Sequence, residues 1–267
     1  MKQRITTAIF ALVILAVAFL CYNTMIFNLF IALLSAFAVF ELLSSTKYVK
    51  NKSVLVASCV YAFIIPFFIV NYIALTALYL IFLLVILLCY HQNVRFEEIA
   101  ISFFVSLLIP IAFSTTVFIR DRYETDGLFF ILLICAAAWL TDTGAYFIGC
   151  SIGKHKLAPV ISPKKTVEGA IGGLVVSLVF FILFCVGYRQ FRNGLIEINY
   201  LNAIIVALVC SIVGMIGDLL ASVIKRQTEI KDYGNILPGH GGVLDRFDSF
   251  LLTAPVFCVL IQLLPIF

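Results

Sequence analysis

Two carboxylates three residues apart, Asp245 and Asp248, close a segment, residues 222–248, that reads S-V-I-K-R-Q-T-E-I-K-D-Y-G-N-I-L-P-G-H-G-G-V-L-D-R-F-D. On a helix that spacing puts both acids on one face, where they repel unless a cation or a proton lies between them. With no histidine and cysteine set nearby, oxygen ligands beside a phosphate site point to Mg²⁺ rather than zinc. Just upstream, Asp218, Ser222 and Lys225 recur at helical spacing, with Arg226 four residues beyond Ser222. Such a stripe of acid, hydroxyl and base cannot face lipid and must line a protein or aqueous pocket. The glycines at 239, 241 and 242 let main-chain N–H groups come close to a ligand, here a phosphate. His240 stands among them, placed as well for loop packing as for a phosphate contact. A second polar island covers residues 141–169. It holds Asp142 in an otherwise apolar run, Lys164 and Lys165, and Glu168. Ser162 and Pro163 there read as the N-cap and first turn of a helix, which would make the two lysines part of an anion-binding corner.

The elements that must position these groups are apolar. Of 267 residues, 63% are hydrophobic and 12% charged, against about 45–50% and 25% in soluble domains. One water-soluble globule cannot hide that excess, so the chain reads as an all-α polytopic membrane protein. Nine runs approach the ~20 residues a helix needs to cross the hydrocarbon: 5–20, 24–43, 54–70, 73–90, 99–118, 127–148, 170–188, 201–224 and 249–266. Starting N-in, the inner connections carry 14 of the 18 lysines and arginines. Basic residues favour the cytoplasmic side, so the expected topology is N-in and C-out, as one membrane domain in which 1–126 is scaffold and 127–267 catalytic. The net charge of +4 is explained by topology and by anionic lipid or substrate, and requires no nucleic acid.

Ala16-Val17-Ala18 leaves a cleaved signal peptide conceivable, although a retained anchor fits as well. The eight cysteines are scattered and read as small packing residues. Glu41 is expected to be structural, pairing with Lys47 or reaching the interface. Asn28 is expected to meet headgroups or water, and the charged loop 119–126 to be a solvated outer connection. Gly169, Gly172 and Gly173 suit close packing of membrane helices.

Residues 222–248, with S-P-K-K-T-V-E-G at 162–169 and Gly217-Asp218-Leu219, resemble the signature of the phosphatidate cytidylyltransferases, also called CDP-diacylglycerol synthases. The likeness is dense over about residues 139–250. It implies that CTP and phosphatidate give CDP-diacylglycerol and pyrophosphate with Mg²⁺, in a dimer whose site opens to the cytoplasm. It further implies a metal centre on Asp218 and Asp245, with Asp248 beside them and K⁺ as a possible second ion. Ser222, Lys225, Lys231 and Lys165 join the functional set on the same grounds. Lys164, Arg226, His240, Gly241, Gly242 and Arg246 are candidates for binding the triphosphate and the lipid phosphate, and Asp142 and Glu168 lie at the margin.

The phosphatidate nucleophile is already ionised near neutral pH, so in-line displacement through positioning and charge is expected, without a strong base or covalent intermediate. The lack of a long soluble tail leans towards a bacterial inner membrane. A CTP-dependent lipid-alcohol kinase would use similar groups. An ion-coupled transporter would also explain Asp142 and Asp218, but it should show inverted repeats.

Overall fold

The computed structural model of the chain describes residues 2–236, 238–239 and 241–267, with the backbone alone for residues 2–5 and 8. The elements are α1 (Lys2–Leu20), α2 (Met25–Ser45), α3 (Lys52–Ile64), α4 (Tyr72–Cys89), α5 (Phe96–Tyr123), α6 (Gly127–Cys135) and α7 (Thr141–Ile152), followed by β1 (Lys156–Ala158), β2 (Ser162–Thr166), α8 (Val167–Phe191), α9 (Tyr200–Gln227) and α10 (Leu244–Leu263). Helix dominates because in lipid each backbone N–H and C=O must find its partner within the segment. Side chains at the starts satisfy some of the exposed N–H groups. Thr24 accepts from Ile26 N, Asn51 from Ser53 and Val54 N, and Thr166 from Gly169 N.

Each of the nine apolar runs contains helix. Among the described residues, six helical stretches are long and apolar enough to cross a membrane: Met25–Ser45, Ile69–Cys89, Phe96–Tyr123, Gly127–Ile152, Val167–Phe191 and Tyr200–Gln227. Ile9–Leu20 and Lys52–Phe67 are apolar but shorter. The run 54–70 is interrupted because Pro66, which lacks an N–H, ends α3 in two short 3₁₀ turns, Ile65–Phe67 and Ile69–Asn71. The chain is an integral membrane protein.

The chain forms two compact units. One comprises Met1–Asp121 and Gln227–Phe247; the other comprises Arg122–Arg226 and Asp248–Phe267. Loop 227–247 thus groups with the N-terminal helices, although its motif reads with the C-terminal half. In the first unit α2 packs on α3, and α3 on α4. Two polar side chains expected to meet water or headgroups, Asn28 and Arg120, are instead structural. Asn28 is buried and donates to Pro66 O, while its Oδ1 accepts from Arg120 Nη1 at 2.6 Å. Arg120 is therefore folded back rather than part of a solvated loop. Glu98 is buried and its Oε1 accepts from Lys50 N and Asn51 N at 2.8 and 2.6 Å, fixing the entry to α3.

The second unit rests on the contact between α7 and α8. The backbones approach so closely that a Cβ on Gly173 would lie 2.5 Å from Thr141 O, and one on Gly169 would lie 2.6 Å from Ala145 O. These glycines serve close packing, as expected. Ahead of α8, residues 162–166 form no helical turn. They are the second strand of an antiparallel hairpin in which Lys156 faces Thr166 and Ala158 faces Ser162. Pro163 sits in that strand and Thr166, not Ser162, caps α8. The hairpin is the one departure from an all-α chain among the described residues.

Candidate active site

In the second unit, α9 is continuous to Gln227, so Asp218, Ser222 and Lys225 lie along one face as their spacing requires. Glycines at one end of that face admit α10. A Cβ at Gly217 would lie 2.8 Å from Asp248 O, so this close approach sets Asp248 beside Asp218. Asp248 is within electrostatic reach of Asp218, Lys225 and Asp142. Asp142 in turn feels Asp218 and Lys165. Three carboxylates and two ammonium groups thus share one neighbourhood, and Lys165 Nζ meets Asp218 Oδ2 at 2.5 Å. Both side chains of that pair are about three-quarters buried, which weakens screening by water relative to a surface pair.

Asp142 reaches this neighbourhood from an irregular helix. Between α6 and α7 the chain widens into a π turn, Ala136–Leu140, and Thr141 Oγ1 donates back to Ala137 O at 2.6 Å. Such turns hold one residue more than α winding and recur at functional sites. The hairpin supplies the other wall. Lys156, Lys164 and Lys165 line a cavity of about 540 Å³ together with Asp142, Asp218 and Tyr146. Volumes of this order are those of pockets for drug-sized ligands. Lys156 is a residue the motif reading missed, treated there only as a charge on the inner side. Its one sequence signal is its place in a basic stretch, and its role depends on the hairpin register.

Other candidates are held differently. Arg226 is exposed, and its Nε donates to Ile161 O at 3.2 Å, tying α9 to the hairpin turn. Glu168 accepts from Lys154 N and His155 N and pairs with His155 Nδ1 at 2.6 Å, which makes it a clasp between α8 and the chain leading into β1.

In the first unit, Lys231 and Arg246 are exposed, Gly241 takes φ +85°, and His240 lies outside the described residues. Asp245 Oδ2 accepts from Tyr233 N at 2.8 Å and Gly242 N at 3.0 Å, closing the loop on itself. Gly242 packs against Glu41, so its lack of a side chain is required by a protein neighbour. Glu41 is 2% exposed, and its hydrogen-bond partners are Val243 N at 3.0 Å and Leu244 N at 2.9 Å rather than Lys47. Among the described residues, no three acid, histidine or cysteine side chains form a ready metal cage.

Apolar helices around a cavity lined by three lysines and two carboxylates define the class as a membrane protein with a polar chamber. The model of the cytidylyltransferase family matches residues 2–264, and the chain belongs to that family. The phosphatidate cytidylyltransferase of Bacillus subtilis (strain 168) is 36% identical over 275 aligned positions, covering 98% of each chain. Its counterpart from Staphylococcus haemolyticus (strain JCSC1435) is 48% identical over 140 residues, 52% of this chain and 51% of that one. That of Staphylococcus aureus (strain COL) is 48% identical over 143 residues, 52% of each. The resemblance carried by residues 139–250 thus extends along the whole chain, and the protein is an enzyme of the nucleotidyltransferase class.

Proposed function

We propose that the chain joins CTP to phosphatidate, releasing pyrophosphate and CDP-diacylglycerol, in the early steps of phospholipid synthesis. The observation that carries this reading is the cavity in which Lys156, Lys164 and Lys165 stand over Asp142 and Asp218. Two anions must meet there, and Coulomb repulsion resists their approach. The lysine wall offsets the charge of triphosphate and lipid phosphate. A phosphate oxygen of the lipid attacks the α-phosphorus of CTP, the bond to the bridging oxygen breaks, and pyrophosphate leaves. The nucleophile carries its charge already, so these residues position and neutralise rather than remove a proton.

The donor set also fits Mg²⁺. It consists of oxygen ligands, and Mg²⁺ is commonly held by one or two carboxylates with substrate phosphates and water completing the shell, without an all-protein cage. Asp218 and Asp248 are the acids best placed to hold it, with Asp142 next to them. Asp245 remains a candidate through the family resemblance, as does K⁺ as a second ion. Bound there, the cation would stabilise charge gathering on the departing pyrophosphate.

The topology proposed with this function has nine crossings, N-in and C-out, in a bacterial inner membrane. The basic connections and the nucleotide site then face the cytoplasm, where CTP is soluble, and a homodimer is the expected assembly. Supporting this orientation is the 14-to-4 division of basic residues. The test is purified protein in liposomes given CTP. Pyrophosphate and CDP-diacylglycerol formed only with phosphatidate support the proposal. CDP released with a polyprenol-like alcohol instead would identify a lipid kinase, and solute uptake without CTP consumption a transporter.

A further inference from the structure

Glu41 lies near the end of α2 and is buried, so its carboxylate must be solvated by the protein. The solvation comes from 202 residues along the chain. Its two oxygens accept the N–H groups of Val243 and Leu244, which begin α10 and have no carbonyl of their own helix to bond. The positive end of a helix also favours a carboxylate. Two glycines make the fit possible, since a Cβ on either Gly234 or Gly242 would collide with the Glu41 carboxylate. Next in sequence, Asp245 Oδ2 accepts from Gly242 and Tyr233 N. Two acids from distant parts of the chain thus hold four consecutive or facing N–H groups of one glycine-rich loop. Thr7 adds a further tie, donating to Pro238 O at 3.1 Å.

We propose that Glu41 is a positioning residue for the nucleotidyl transfer, setting the backbone of residues 242–244 and through it the aim of the acids on the first turns of α10. The assignment of those acids to the reaction rests on the function proposed above; the backbone clamp does not.

The experiment compares E41Q with E98Q in the full chain reconstituted in liposomes. Glu98 offers a matched control, because it too is a buried acid holding two main-chain N–H groups, those of Lys50 and Asn51, and it takes no part in the site. In E41Q the glutamine turns an NH₂ toward one of the two N–H groups, so one donor loses its acceptor; in E98Q the amide oxygen keeps both, because Lys50 N and Asn51 N share Oε1, and only the charge is removed. Both variants should lower the unfolding midpoint, E41Q the more. E41Q alone should lower kcat, by about 100-fold, the scale of a small misplacement of reacting groups, with KM for CTP within about threefold. G242A, which drives the Glu41 carboxylate off its seat from the other side, should show the same kcat and KM pattern even if E41Q does not fold. Hydrogen exchange at residues 242–244 should quicken in E41Q and G242A and stay at the wild-type rate in E98Q. Equal kcat losses in E41Q and E98Q, or unchanged kcat in both E41Q and G242A, would overturn the proposal. Should wild-type protein make no CDP-diacylglycerol while the exchange pattern holds, the transferase reading fails and the clamp stands.

Discussion

Asp218 and Glu41 are both acids set in apolar helices, yet the protein solvates them in opposite ways. Asp218 meets a side-chain ammonium, Lys165, at the wall of an open cavity. Glu41 is closed off and bonded to two main-chain N–H groups. The first arrangement can exchange partners, because a lysine side chain moves and a phosphate or metal ion can share the carboxylate. The second cannot do so without undoing the start of a helix. An acid in a membrane helix is therefore marked for chemistry less by its cost than by what meets that cost.

The largest effect that would break this comparison lies at Asp218. D218N should cut CDP-diacylglycerol formation by about 100- to 1,000-fold, the scale of removing a preorganised group from a transition state, while carbonate extraction still finds the protein in the membrane. Activity within tenfold of wild type would place Asp218 with the structural acids. Removing divalent cations with a chelator should be nearly as severe, and restoring Mg²⁺ should recover the rate. Lys165 comes next. In K165M the partner carboxylate loses its counter-charge, and a CTP titration should show kcat/KM lower by about 100-fold. Full activity across that titration would return Lys165 to a topology signal.

Two weaker perturbations sharpen the contrast. G173V, whose added side chain would strike Thr141 O across the α7 and α8 contact, should cost about 1–3 kcal/mol of stability, read as a lower unfolding midpoint. The smallest effect is expected at Glu168. Its bonds hold an exposed turn, so E168Q should change the rate by no more than about threefold.

Most of the helical scaffold was legible because uninterrupted apolar runs admit few other structures in lipid, and the signature at 222–248 pointed to the family. What escaped was non-local or local in an unusual way. The partners of Glu41 lie 202 residues on, and nothing in the spacing near Glu41 points to them. Asn28 looked like an interfacial residue because its neighbours Pro66 and Arg120 come from other turns of the chain. Ser162-Pro163 has the chemistry of a helix start, but the turn between the strands lets residues 156–158 pair with it first. That hairpin is also why Lys156 reached the site unannounced. The grouping of Asp142 and Asp248 around Asp218 needed the packing of α9 and α10 to be seen, since only the spacing within each helix can be read from a string.

The widened turn at Ala136–Leu140 bears on how chain length can vary in this enzyme. Because it stores one surplus residue, a chain shorter by one of the three alanines can close into ordinary α winding while both flanks keep the sides they now present. A chain longer by one has no such slack, and would carry Asp142 through roughly 100° about the axis, away from its lysine. Loss and gain of a single alanine here are therefore expected to be unequal: a deletion variant should keep CDP-diacylglycerol formation and an insertion variant should lose it.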